Sequence, residues 1–252
     1  YLAVMGDTKG RPLPSKPDPV WASRLMDAWT VFVVGRAVVA QRLGIEALAL
    51  DWSAYGWEMT PELIAVYVPK MTGLARRVRR VFSGKILLGT GYLPSDPELL
   101  KSLDWVHCPV GGWATEEENS RLDVALIKRN ALIGIGACAA TLGADAPPVV
   151  WGMVASSHRN FFTQGWVEDS FCVPSPEDCS QRKIKTDFSV QALAFEAALE
   201  AIKEQTLLKT ASVEVCGYWF TDVLRPKDSF PNLSLSIRNK PAESIVYEWY
   251  KR

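Results

Sequence analysis

The feature that most limits what this chain can fold into is an alternation that runs its whole length. Short apolar runs are each followed by a helix-patterned stretch. Ala47-Leu-Ala-Leu50, Lys85-Ile-Leu-Leu-Gly89, Asp104-Trp-Val-His-Cys-Pro109, Pro147-Pro-Val-Val-Trp-Gly-Met-Val-Ala155 and Ala211–Phe220 are strand-like, and Tyr1–Met5 is a sixth. Mostly apolar runs of this kind suit strands covered on both faces, as in parallel sheets. The helices between them have readable ends. Trp21–Leu43 carries Leu25, Trp29, Phe32, Val33, Val39 and Leu43 and stops at Gly44. Thr60-Pro61-Glu62 supplies a cap and a first-turn proline for a helix that runs to about Phe82. Pro97–Leu103, Glu116–Leu142, Asp187–Leu208 and Lys240–Tyr250 are the remaining helices, and Ser156–Lys185 is a long excursion of the functional kind.

Strand and helix in strict alternation mean βαβ units and a parallel sheet. With 252 residues, 48% of them hydrophobic, the chain is expected to form one domain, 1–252, with a real core. The expected class is α/β, a TIM-type (β/α)8 barrel. Such a barrel has eight units, typically in about 250 residues, and six are counted here. The chain therefore covers roughly the third to the eighth strand-helix units. Because it opens on Tyr1 rather than Met, the first two units are expected upstream or from another subunit. Otherwise Leu2–Met5 and Ser212–Phe220 would be bare sheet edges.

Formal net charge is zero, from 28 basic and 28 acidic residues, with no long basic run, so neither nucleic acid nor an anionic membrane is an expected partner. Ala131–Leu142 is the most apolar stretch, too short to span a bilayer, and reads as a buried helix. Cys172 and Cys179 flank a Pro-rich loop and could close a disulfide ring, while Cys108, Cys138 and Cys216 read as buried free thiols. That ring, with the sequon Asn232-Leu-Ser234, points to an extracellular protein.

In barrels of this type the loops after the strands build the site. Asp51, Trp52, Trp57 and Glu58 follow one strand and Tyr92 the next. Asp51 serves equally well as a helix cap. His107 and Trp113 belong to the sixth strand of the full barrel and its loop, Trp151 and Trp166 to the seventh, Trp219 and Asp222 to the eighth. Indole faces stack on pyranose rings while their N–H groups bond hydroxyls. A lone tryptophan is more often core, but six at one rim (Trp52, Trp57, Trp113, Trp151, Trp166, Trp219) point to carbohydrate as partner. His107 and His158 lack a metal-ligand spacing, Ser156 and Ser157 lack a nucleophile-elbow glycine pattern, and no Gly-rich phosphate loop follows the late strands. No metal or other cofactor is expected.

Four phrases sit at a distinctive spacing: Ala40-Gln-Arg-Leu-Gly44-Ile-Glu-Ala-Leu48, Val78-Arg-Arg-Val-Phe-Ser-Gly-Lys85, Gly217-Tyr-Trp-Phe220 and Ser236-Ile-Arg-Asn-Lys240-Pro-Ala242. Over nearly its whole length the chain resembles the second half of the retaining glycoside hydrolase (β/α)8 barrels, in particular the endo-β-mannanase-like branch. The resemblance implies a glutamate acid/base after the fourth strand and a glutamate nucleophile at the end of the seventh. Here Asp51 holds the first place, with Glu58 further along, and Gly152 or Met153 the second. A thioether cannot form a glycosyl ester, so the retaining mechanism, which needs carboxyl groups about 5–5.5 Å apart, is not supplied. An inverting pair about 6.5–9.5 Å apart could still draw its base from Glu168 or Asp169. Asp104 lies at the opposite strand end and reads as structural. Two functions follow. One is a glycan-binding barrel that has lost catalysis, including a non-catalytic extracellular module. The other is an active glycosidase with Asp51 or Glu58 as acid and a loop carboxylate as base.

Overall fold

The computed structural model describes residues 17–50, 59–89, 95–165, 184–218, 223–225, 227–228 and 231–251. In chain order its elements are α1 (Pro19–Arg42), β1 (Ala47–Ala49), α2 (Pro61–Arg79), β2 (Lys85–Leu88), α3 (Pro97–Lys101), β3 (Trp105–Val110), α4 (Val124–Leu142), β4 (Val149–Met153), α5 (Phe161–Gln164), α6 (Phe188–Glu204), β5 (Thr210–Val215) and α7 (Pro241–Tyr250). The strands form one sheet in the order β1-β2-β3-β4-β5. β1 and β2 run parallel with Leu48 opposite Ile86, and β2 and β3 run parallel with Leu87 opposite Trp105. Val149 N–H donates to the Lys209 carbonyl and Cys216 N–H to the Met153 carbonyl. Both strands advance together between those bonds, so β4 and β5 are parallel as well. The α/β barrel-type alternation expected from the sequence is the observed fold class. The strand expected at Tyr1–Met5 lies outside the described residues.

Two compact units emerge. The first comprises Tyr1–Cys108, Cys138–Val150 and Leu208–Ala211. Its core joins Ala49, Leu87 and Val150, with Trp105 and Ala211 packed on them. Helices α1 and α2 pack side by side here, tied by Lys70 Nζ donating to Asp27 Oδ1 at 2.5 Å. Both helices begin where local chemistry predicts. Asp18 accepts from the Trp21 N–H, and Thr60 accepts from the Leu63 N–H ahead of Pro61. Asp104 is structural, as expected: it accepts from the Ile86 N–H at 2.8 Å and from Arg79. Partial burial alone would raise its pKa. The Ile86 amide, Arg79 and Lys85 outweigh that and hold the carboxyl below its usual value.

The second unit comprises Pro109–Ala137, Trp151–Leu207 and Ser212–Arg252. α6 starts at Asp187, which accepts from the Ser189 N–H and hydroxyl, and α7 packs against it. Tyr250 Oη donates to the Val213 carbonyl at 2.6 Å. The helix expected from Glu116 begins instead at Val124. Thr115 and Glu118 cap each other's amides in a reciprocal pair, closing a turn at Glu118–Ser120, and Asp123 then accepts from the Leu126 N–H to start α4. Two competing caps divide one apolar periodicity.

Three expectations are corrected. Cys108 and Cys138 are not free thiols: they are joined, Cα to Cα 6.7 Å, tying β3 to α4. Cys216 is free but exposed rather than buried. Asn232 is buried at 7% exposure, with its side-chain oxygen accepting from the Arg225 N–H, so the folded chain does not present it as a glycosylation acceptor. By length and composition α4 would pass for a membrane span, with mean hydropathy 1.3. Yet Lys128 pairs with Glu204 at 2.9 Å and Arg129 with Glu118 at 2.7 Å, so its first turns carry ion pairs that a bilayer would not favour.

Candidate functional site

In the second unit, the segments following the C-terminal ends of β3 and β4 come together. After β3, Gly111 and Gly112 lead into Trp113. A side chain at Gly112 would meet the Ile127 carbonyl at 2.2 Å, which is why the chain turns there without one. Asn130 Nδ2 donates to the Trp113 carbonyl at 2.7 Å, and the Ala114 N–H donates to the Phe162 carbonyl at 3.0 Å. With the Thr115–Glu118 caps and the Arg129–Glu118 ion pair, these bonds fix the backbone on both sides of Trp113. The indole is nonetheless 59% exposed. It rests against Phe161, ring centres 5.6 Å apart, and Phe161 meets Phe162 at 5.3 Å and His158 at 6.3 Å, both edge-on. Gly165, at φ +79°, lies against the indole, where an added Cβ would sit 3.8 Å from the Trp113 ring. The result is an aromatic shelf held on a rigid backbone, with one large face open.

Behind the shelf, the residues after β4 enter a buried polar nest. Ser156, Ser157 and His158 are at most 1% exposed. Ser157 Oγ donates to the Asn232 carbonyl and accepts from Lys240 Nζ at 2.8 Å. Lys240, 3% exposed, also donates to the carbonyls of Pro231 at 2.8 Å and Ser234 at 3.2 Å, and its ammonium lies 5.7 Å from the Phe188 ring centre. Gln191 Nε2 donates to the Ala155 carbonyl at 2.7 Å and reaches those of Leu235 and Ser236. His158 Nε2 bonds the Gly165 carbonyl at 2.7 Å. Burial pushes the His158 pKa down and that bond offsets only part of the effect, so its imidazole is neutral at pH 7.

Of the residues expected to form a site, Trp113 is placed as an open aromatic face. Trp151 is not: its side chain has no exposed surface in β4, so it packs in the core and offers no face to a sugar. His107, in the first unit, is 8% exposed, and burial lowers its pKa to about 4, making it a neutral imidazole at physiological pH. Asp51, Trp52, Trp57, Glu58, Tyr92, Trp166, Glu168, Asp169, Trp219 and Asp222 lie outside the described residues, as do Cys172 and Cys179. Sequence reasoning missed Phe161, Asn130 and Gln191, and it weighed Ser157 only as a nucleophile and Asn232 only as a glycosylation acceptor. Lys240 was visible only inside its Lys-Pro-Ala phrase. No group of three or more His, Cys, Asp or Glu side chains suited to a metal occurs among the described residues.

No family model matches the sequence, and no curated protein does. Solved structures do. A GH113 β-1,4-mannanase determined as a complex superposes with a TM-score of 0.60 at 14% identity, over 99% of this chain and 67% of that one. The likeness is one of fold. A second GH113 β-1,4-mannanase structure matches with a TM-score of 0.58 at 14% identity, over 98% of this chain and 66% of the other. The GH113 β-mannanase AaManA of Alicyclobacillus acidocaldarius, in complex with ManMIm, matches with 0.55 at 14% identity, over 90% and 61%. The chain thus spans about two thirds of the length of these mannanases.

Proposed function

We propose that this chain is a glycoside hydrolase-like barrel that binds a β-linked polysaccharide and has lost catalysis. The observation that carries the reading is Trp113. It is a large, exposed indole on a preorganised backbone, past the C-terminal ends of strands in a fold whose solved neighbours are β-mannanases. Flat faces of this kind stack on pyranose rings, and fixing them beforehand lowers the entropy lost on binding. Loss of catalysis is supported by Gly152 and Met153 at the place the resemblance assigns to the nucleophile, and by the burial of the three residues from Ser156. The Cys108–Cys138 link supports an extracellular setting.

The test is retention of the purified chain on gels containing β-mannan, glucomannan or mixed-linkage β-glucan, with reducing-end release measured on the same substrates. The expected result is retardation by at least one polysaccharide and no hydrolysis, with Trp113→Ala weakening binding about tenfold or more, a little over 1 kcal/mol. Equal retardation of Trp113→Ala, or none for either protein, would remove the reading. Hydrolysis would instead favour the alternative of an active glycosidase, for which Asp51 or Glu58 is the proposed acid and Glu168 or Asp169 the proposed base.

A further inference from the structure

A cavity of about 640 Å3 opens in the first unit beside the last turn of α2, with α3 as its other wall. It exists because α3 is short. Its five residues give about 7 Å of helix against about 28 Å for the nineteen of α2, so α3 packs on α2 without covering its flank. Four cations line the recess, Arg76, Arg79, Arg80 and Lys101, against two carboxylates, Glu98 and Asp104. Two of the six hold the fold together. Arg79 donates to Asp104 and to the Gly84 carbonyl at 2.8 Å, and Lys85 adds a second cation to Asp104 at 3.4 Å. The other four are less committed. Arg76 and Lys101 share the single carboxylate of Glu98, at 3.6 and 3.5 Å, one on each of its oxygens. Arg80 forms no ion pair among the described residues. Cations in the last turn of a helix complement its dipole, which accounts for their presence on α2. It does not account for three of them lining a recess around one carboxylate.

We propose that this recess binds the carboxylates of an acidic polysaccharide, one built from uronate units. Glu98 shows where such a group sits, since Arg76 and Lys101 already hold an oxyanion between them. Its side chain is 66% exposed, so it can swing out and a ligand carboxylate can take its place. Arg80, four residues and about 6 Å along α2 from Arg76, is available for a second one. Guanidinium groups suit carboxylates because their paired N–H donors match both oxygens. One exposed ion pair holds a ligand only weakly, so the charge has to recur along a chain for the contacts to add. That favours a polymer. Nucleic acid fits less well, because no aromatic side chain lines the recess to stack a base. A lipid surface fits less well too, because the apolar lining is Ala75 and Leu103, both buried, with nothing to insert. No residue of the recess belongs to the aromatic shelf, so the site stands apart from the Trp113 reading.

The probe is oligogalacturonate, titrated calorimetrically into the full chain at low ionic strength. The expected result is saturable binding that weakens as salt is added. The double variant Arg76→Gln, Lys101→Gln should lose about tenfold in affinity. Both side chains are exposed and Arg79 is left in place, so its circular dichroism spectrum and melting temperature should match the parent. Glu98→Gln should act the other way and tighten binding about threefold, because the competing internal carboxylate is gone. Glu62→Gln, in the first turn of α2, should leave the affinity unchanged, and so should Trp113→Ala. Absence of binding, unchanged affinity in the double variant, or no gain in Glu98→Gln overturns the proposal. So does an equal gain in Glu62→Gln, which would reduce the effect to net charge, or a loss in Trp113→Ala, which would move the ligand to the shelf. Equal affinity for inorganic phosphate overturns it as well, as does tighter binding of a single-stranded oligonucleotide or of phosphatidylserine vesicles that the double variant abolishes, since each would assign the recess to a different ligand.

Discussion

Cutting the Cys108–Cys138 link gives a stability loss that can be worked from its position. The two cysteines lie 30 residues apart in sequence, so the link closes a loop of about that length in the unfolded chain. In the chain-entropy account, such a closure removes about 12 cal/mol/K, or about 3.6 kcal/mol at 25 °C. Both cysteines are buried, Cys108 with no exposed surface and Cys138 at 7%, so a free thiol is tolerated there as a small hydrophobe. Reduction then acts mainly on the unfolded state. With an unfolding entropy of about 2.1 cal/mol/K per residue over 252 residues, the expected fall in melting temperature is about 7 °C. Calorimetry of the oxidised chain, of the chain in excess phosphine reductant, and of Cys138→Ala measures it. The last two should agree with each other and lie below the first. Melting within about 2 °C in all three would refute the loop argument. So would thiol labelling of the unreduced, denatured chain that modifies both Cys108 and Cys138.

Two further outcomes follow from buried groups and strained backbone. His107 has a folded pKa near 4 against 6.5 in the unfolded chain, so the unfolded state takes up the proton first as pH falls. Stability is therefore unaffected above about pH 6.5 and declines from there to about pH 4, by roughly 3 kcal/mol in all. Urea titrations across that window should show a shallower decline for His107→Gln, and parallel curves would refute the assignment. Gly217 sits at φ +100°, where an added side chain would also lie 2.6 Å from the Leu235 carbonyl. Gly217→Ala should lower stability by about 2 kcal/mol or more, read as a shift in urea midpoint, and an unchanged midpoint would show that the turn relaxes freely.

What could be read from the sequence was what is decided locally. Thr60 and Asp187 mark helix starts because a cap needs only the next three residues, and Pro241 marks one because its fixed φ suits a first helical turn. The apolar runs at Ala47, Ile86 and Val149 are strands because burial on both faces leaves a compositional trace. What could not be read depends on which elements meet. Cys108 and Cys138 each lie in an apolar segment and read as free thiols, whereas they are linked to each other, β3 to α4, across 30 residues. Trp113 and Trp151 both follow or occupy strands, and no local signal separates a ring with no exposed surface from one that is 59% exposed. Lys240 and Ser157 are 83 positions apart, so their contact is invisible until the fold is known. β5 also departs from the both-faces-covered pattern. Several of its residues are exposed or half-buried, as suits the last strand in the order β1 to β5.

The nest around Lys240 anchors the chain after β4. A residue that attacks a substrate at a strand end must reach the bound sugar and change its bonding there. Ser156, Ser157 and His158 have almost no exposed surface, and Ser157 Oγ is held between the Asn232 carbonyl and the Lys240 ammonium. An ammonium has three N–H donors, and Ser157 Oγ and the Pro231 and Ser234 carbonyls lie within reach of them. Freeing Ser157 would disturb that arrangement around a buried charge, at a cost of several kcal/mol. The same bonds tie the loop through Pro231–Lys240 to the end of β4, and Gln191 ties both to α6. In front of this anchor stand Phe161 and Phe162, and on Phe161 rests Trp113. The bonds that bury Ser157 therefore also hold the aromatic side chains on which the Trp113 indole rests.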